Sequence, residues 1–155
     1  MGNRILELAR ENHDFMVAFR RDLHKHPEKS LAEFETTAKI RRELDAMGIP
    51  WKEVTPTGTV AFIEGSGSCD KVLGLRGDTD ALEVPETNGT EYDSTVPGLS
   101  HACGHDAHAA SLLGAAKIFK ALGKENIPGS VVLVFQPAEE VGMGAKIMYE
   151  SGLMP

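Results

Sequence analysis

The chain's 155 residues suit one domain, and 41% hydrophobic against 25% charged residues is the balance of a globular protein whose core needs neither disulfide staples nor a structural metal. Sixteen Lys and Arg against 23 Asp and Glu give a net charge of −7, which argues against nucleic-acid binding, because counterion release needs a basic surface. No apolar run reaches the roughly 20 residues of a membrane span, and the opening MGNRILELARENHDF turns polar before a signal-peptide core can form. Cys69 and Cys103 sit in unlike contexts with no pairing pattern, which fits a reducing, cytoplasmic setting.

Along the chain, Ile5, Ala9, Met16, Phe19 and Leu23 share one helical face, predicting a helix over 3–25 that ends before Pro27. Ser30 and Glu33 stand at capping-box spacing, opening a helix that uses Phe34, Ala38, Leu44 and Met47 and stops at Gly48. Short apolar runs bounded by glycine predict strands at 59–64 and 71–76, with GSGSCD between them as a turn. Residues 81–100, with Pro85, Gly89, Pro97 and Gly98, read as a loop. Ala109, Leu112, Leu113, Ala116 and Phe119 mark a helix over 106–122. VVLVF at 131–135 is the uninterrupted run of a strand buried on both faces, and 143–151 reads as a final short helix. There is no internal repeat and no long linker. Strands alternating with helices imply an α/β fold, with a mixed, largely parallel sheet flanked by helices.

Ligands of open α/β sheets bind beyond the carboxyl ends of the strands. Two such ends carry polar clusters, RGDTDAL after 71–76 and QPAEE after 131–135, and a third cluster, HACGHDAH, precedes the long helix. Three of the six histidines, His101, His105 and His108, fall in that third cluster with Cys103 and Asp106. Thiolate, imidazole and carboxylate are the donors that hold zinc and similar divalent ions. Gly104, between Cys103 and His105, lets a turn aim both side chains at one point. The bland reading of the same residues is a helix-entry loop with surface histidines and a small buried cysteine. Glu139 and Glu140 coat a solvated helix start in the bland reading. With a metal nearby, one binds it while the other stays free as a general base. Asp78 and Asp80 alternate at a strand end, so both can face the crevice, either orienting histidines or forming a polar turn. His24 and His26 lie where positive charge suits a helix C-terminus. His13 and Cys69 carry no signal.

RRDLHKHPE (20–28), LRGDTDAL (75–82), PGLSHACGHDAH (97–108) and QPAEEVGMGAKIM (136–148) together resemble the M20 metallopeptidase family, in the branch that includes hydrolases of indole-acetyl amino acids, hippurate and N-acetyl-diaminopimelate. The resemblance implies a zinc-exopeptidase-like catalytic domain and an enzyme with two divalent ions (zinc, manganese, cobalt or nickel) that cleaves the amide bond of N-acyl amino acids with metal-activated water. It puts metal ligands at Cys103, His105 and Glu140, the general base at Glu139, and a supporting catalytic aspartate at Asp80. Asp78 matches a position that is a ligand histidine in other branches, and its role stays open, as do those of His101 and His108.

Family members are much longer, whereas this sequence stops at Ser-Gly-Leu-Met-Pro. The expectation is therefore that 1–155 is the N-terminal part of the catalytic domain, without the lid and dimerisation domain or the remaining ligand histidines. Such a chain is expected to be weakly active or inactive alone. The alternative is a non-catalytic fragment of a split or interrupted gene. Expected partners are a small N-acyl amino acid, and a homo-oligomer or complementing C-terminal chain, with no nucleic acid or membrane.

Overall fold

Asn12 divides the N-terminal helical stretch in two: α1 spans Gly2–Glu11 and α2 spans His13–Lys25, where periodicity alone predicted one helix. The Asn12 side-chain amide donates to the Leu8 carbonyl at 2.8 Å, the local competition with the backbone that makes asparagine a helix breaker. The structure is a computed structural model that describes residues 2–154.

Helix α3 is Phe34–Ala46, and the expected Ser30–Glu33 capping box does not form. The Glu28 carboxylate takes the orphan N–H groups of Glu35 and Thr36 instead, at 3.0 and 2.7 Å. Glu33 turns inward and is fully buried, while Ser30 donates to Asp80. Phe34, expected on the inner face, is 57% exposed, and the face that packs uses Thr36, Thr37, Ile40 and Leu44. The helix closes at Gly48, as expected, with φ 62° there.

Four strands form one sheet in the order β1-β2-β4-β3: β1 Trp51–Thr55, β2 Gly58–Ile63, β3 Val72–Asp78 and β4 Ser130–Gln136. Strand β1 escaped the sequence reading because its mixed WKEVT has no apolar run; it is held by antiparallel pairing to β2. The sheet is mixed and flanked by helices, as expected, but its balance differs. Only β3–β4 is parallel, and the β1–β2 and β2–β4 pairings are antiparallel. The VVLVF run is central, as its burial on both faces predicted.

Helix α4, His105–Leu122, lies in the crossover between the parallel pair, and α5 is Gly144–Glu150. The main core joins α2, α3 and α4 to one face of the sheet through Phe19, Leu23, Ile40, Leu113, Leu133 and Phe135. On the other face Met148 of α5 packs on Val54, Val60 and Val132. The parallel register pairs Asp78 with Gln136, so both strands end at one edge, beside the N-terminus of α4. Among the described residues no helix is long and apolar enough to cross a membrane.

Candidate metal centre

Gly104 precedes α4 with φ 87°, a conformation that glycine adopts without strain. This turn puts Cys103 outside the helix and His105 at its first position, and the two side chains converge as the spacing predicted. His105 is buried and Cys103 is exposed.

Asp80 holds the back of the site. Nδ1 of His105 lies 2.9 Å from the Asp80 backbone carbonyl and 3.3 Å from its Oδ1. Asp80 Oδ2 accepts from the Ser30 hydroxyl at 2.6 Å and the Glu140 N–H at 3.0 Å, and Oδ1 accepts from the Glu139 N–H at 3.1 Å. Burial alone would push its pKa up. Hydrogen bonds from His105, Ser30 and the two backbone amides more than offset this and bring it to about 2.

With Nδ1 held by Asp80, Nε2 of His105 is the nitrogen left to face a metal. Facing it are Asp78 Oδ1 at 3.5 Å, Glu139 Oε2 at 3.6 Å and Glu140 Oε1 at 3.7 Å. Burial would lower the pKa of His105, yet its bond to Asp80 and the charge of Asp78 raise it to about 9. The adjoining Glu140 carboxylate, slight burial and the charges of Glu139 and Asp78 push the Cys103 thiol up. The pocket thus gathers three carboxylates, Asp78, Glu139 and Glu140, around His105.

Donor atoms of Cys103, His105 and Glu140 all lie within 4.8 Å of one another, and so do those of Asp78, His105 and His108. Glu140 Oε1 is buried without a hydrogen-bond partner. A sulfur, nitrogen and oxygen set around an orphaned carboxylate oxygen fits a divalent ion such as zinc. The second group is already knitted together, since Asp78 Oδ1 is 2.5 Å from His108 Nδ1 and Oδ2 is 3.1 Å from Arg76. Both groups draw on His105, and one ring nitrogen serves one ion at a time.

All five residues singled out from the sequence, Asp80, Cys103, His105, Glu139 and Glu140, meet in this one place. Glu139 is half-exposed at its side chain, and Glu140 is largely buried. His101 is buried nearby with neither ring nitrogen partnered, and that burial lowers its pKa to about 4. His24 does lie in the last turn of α2, as expected, but it is not solvated there. It is buried between Asp106 Oδ2 and Glu86 Oε1, each at 2.8 Å, and Arg20 reaches the same Asp106 oxygen at 2.9 Å. His26 does stay exposed, bonded to the Asp22 carbonyl. Local pattern gave no sign that Ser30 and Glu33 support the site, because their partners, Asp80 and the Ala138 N–H, are remote in the chain.

The family model for peptidase family M20/M25/M40 matches residues 74–155. IAA-amino acid hydrolase ILR1-like 4 of Arabidopsis thaliana is 47% identical over 98% of this chain and 34% of its own length. An uncharacterized hydrolase of Staphylococcus saprophyticus is 42% identical over 90% of this chain and 36% of its own. Among solved structures, the Bacillus subtilis YXEP protein, a dinuclear metal binding peptidase from the M20 family, superposes with a TM-score of 0.87 at 40% identity, over 93% of this chain and 40% of that one. The chain therefore spans about a third of the length of the curated relatives it matches.

Proposed function

The chain belongs to peptidase family M20/M25/M40, and from that premise we propose that it carries the metal- and base-bearing part of an amidohydrolase that cleaves N-acyl amino acids. Similarity to an IAA-amino acid hydrolase and to a dinuclear metal binding peptidase supports this reading. The observation that carries it is the division of labour in the glutamate pair. Glu140 offers a buried, unpartnered oxygen toward His105, while its neighbour Glu139 stays half-exposed at the same imidazole.

Cys103, His105 and Glu140 would hold a divalent ion, with zinc, manganese, cobalt and nickel all compatible with the donor set. Two such ions, when bound, supply Lewis acidity toward water and the scissile carbonyl. Glu139 removes a proton from the attacking water and returns it to the leaving amine. Asp80 keeps His105 turned with Nε2 forward and fixes the backbone of both glutamates. An exposed thiol ligand suits a reducing, cytoplasmic setting.

Three protein donors for two ions leave most coordination positions to water, so these 155 residues alone are expected to bind metal weakly and turn over little. A second reading, that the chain works paired with a second copy or a complementing chain, is favoured by β3. This strand has a free edge on which Val72 is 63% and Leu73 49% exposed.

Metal content per chain after gentle purification, with Cys103→Ala as control, tests the metal site, and release of the free amino acid from N-acyl amino acids tests the chemistry. Metal that disappears in the variant, with hydrolysis lost in Glu139→Gln, supports the proposal. Metal retained in full without Cys103, or turnover indifferent to Glu139, would falsify it. Light scattering on the metal-loaded sample separates a monomer from a paired chain.

A further inference from the structure

Two non-glycine residues among those described have left-handed backbone, Leu31 at φ 66° and Ala138 at φ 51°. Both donate their N–H to one atom, Oε1 of the fully buried Glu33, at 3.0 Å from Leu31 and 2.8 Å from Ala138. Side chains strain a left-handed backbone, so the conformation persists only where its surroundings impose it. At Ala138 they do so from both ends. Glu33 takes the N–H, and the carbonyl accepts from Met143 at 3.2 Å and Gly144 at 3.0 Å. A Cβ at Gly144 would lie 1.6 Å from the Pro137 carbonyl oxygen, so the turn closes only over glycine there.

The consequence falls on the next two residues. Immediately after Ala138 the N–H groups of Glu139 and Glu140 point to the two carboxylate oxygens of Asp80. Three successive amides are thus taken by two buried carboxylates, a backbone concavity filled from within the chain. The two carboxylates belong to one scaffold, because Ser30, three residues before Glu33, donates to Asp80.

We propose that Glu33 is a positioning residue: it imposes the left-handed turn at Ala138 and thereby aims Glu139 and Glu140 at His105. What the turn serves rests on the metal-hydrolase reading, but its geometry does not. The neighbouring loop at Leu31 is fixed by the same oxygen, so residues 30–33 act as a back-plate for the glutamate pair.

The test is amide hydrogen exchange by NMR on the metal-free chain, comparing the parent with Glu33→Gln, Glu33→Ala and the double variant Glu33→Ala/Ala138→Gly. Glu33→Ala should speed exchange at Ala138, Glu139 and Glu140 by at least about tenfold, with the core amides of Leu113 and Leu133 unchanged. Glu33→Gln, which keeps a carbonyl oxygen for both donors, should stay within about threefold of the parent. Glycine at 138 relieves the strain and should recover part of the protection at 139 and 140.

Parent-like protection of the three amides in Glu33→Ala would overturn the proposal, and so would equal acceleration of the core amides. Should Glu33→Ala fail to fold, Glu33→Gln decides: retained protection supports the role, and exchange about tenfold faster rejects it. A cobalt titration of the parent keeps the two readings apart. Absence of a Cys103-to-cobalt charge-transfer band counts against the metal site, while the exchange result still judges Glu33.

Discussion

His105 and Asp80 are joined twice: the imidazole Nδ1 is 2.9 Å from the Asp80 backbone carbonyl and 3.3 Å from its carboxylate. One residue thus sets both the tautomer and the tilt of the imidazole, and the same carboxylate accepts the amides of Glu139 and Glu140. The centre is built around Asp80 rather than around any donor that faces the pocket.

Asp80→Ala should therefore damage the site through its support. It removes the acceptor of the part-buried Glu139 and Glu140 amides, at about 1 kcal/mol each. Removing such a support typically lowers metal affinity about 10- to 100-fold. Isothermal titration with zinc reads the affinity, and urea unfolding reads the stability. Unchanged zinc affinity in a folded variant would show that Asp80 is not the hub.

The two glutamates should separate by role. Glu140→Gln removes a buried ligand charge and should weaken metal binding at least about tenfold, whereas Glu139→Gln should leave it within about threefold and remove turnover. Metal binding and hydrolysis measured on the same two variants decide the assignment, and equal metal loss in both would unseat Glu139 as the base.

Metal should also stabilise the fold. An ion at a hundred times its dissociation constant adds about 2.7 kcal/mol, which in a domain of this size raises Tm by about 5–10 °C. A chelator should reverse the shift, and Cys103→Ala should show a much smaller one. Differential scanning calorimetry with and without zinc checks this, and an undiminished shift in the variant would mean that the ion binds elsewhere.

His24 joins two carboxylates that have almost no access to water, Asp106 and Glu86. Although burial works to lower its pKa, the bonds to Glu86 and Asp106 raise it. His24→Ala removes the cation between the two acids, leaving Asp106 with Arg20 and Glu86 with the Asn88 amide and the Ser94 N–H. Breaking a buried ion pair costs about 3–5 kcal/mol. Urea denaturation at neutral pH measures it; a loss under about 1 kcal/mol would show that the imidazole is not acting as a buried cation.

Glu33 gives a pH signature. Burial raises its carboxyl above the ordinary value of 4.5, so its contribution to stability is fully present below that value and is lost as pH rises through the folded one. Relative to Glu33→Gln, which cannot ionise, the parent should lose stability as pH climbs from about 4.5 toward neutrality. Parallel stability curves for the two proteins across that range would contradict the burial argument.

Local pattern carried far in this chain because helices, buried strands and the Cys103–Gly104–His105 turn are short-range features. The apolar stripe of α4 and the VVLVF run of β4 each show, in a local pattern, which face the fold buries. The donors also announced themselves, since Cys103 and His105 are separated by one glycine and Glu139 adjoins Glu140. Errors fell where a distant group won. Ser30 and Glu33 have capping-box spacing, but Asp80 and Ala138 offered their side chains buried partners, and Glu28 took over the cap. β1 was invisible because its stability comes from pairing with β2 rather than from its own pattern.

The sequence by itself therefore marked the donor residues that gather at one place and most of the segments that coil or extend, because both are written in spacing along the backbone. Only the tertiary structure decided which nitrogen of His105 faces the donors, which carboxylate holds the glutamate turn, and that β4 enters between β2 and β3. Each of those depends on groups dozens of residues apart being brought within hydrogen-bonding reach, and no local periodicity encodes that distance.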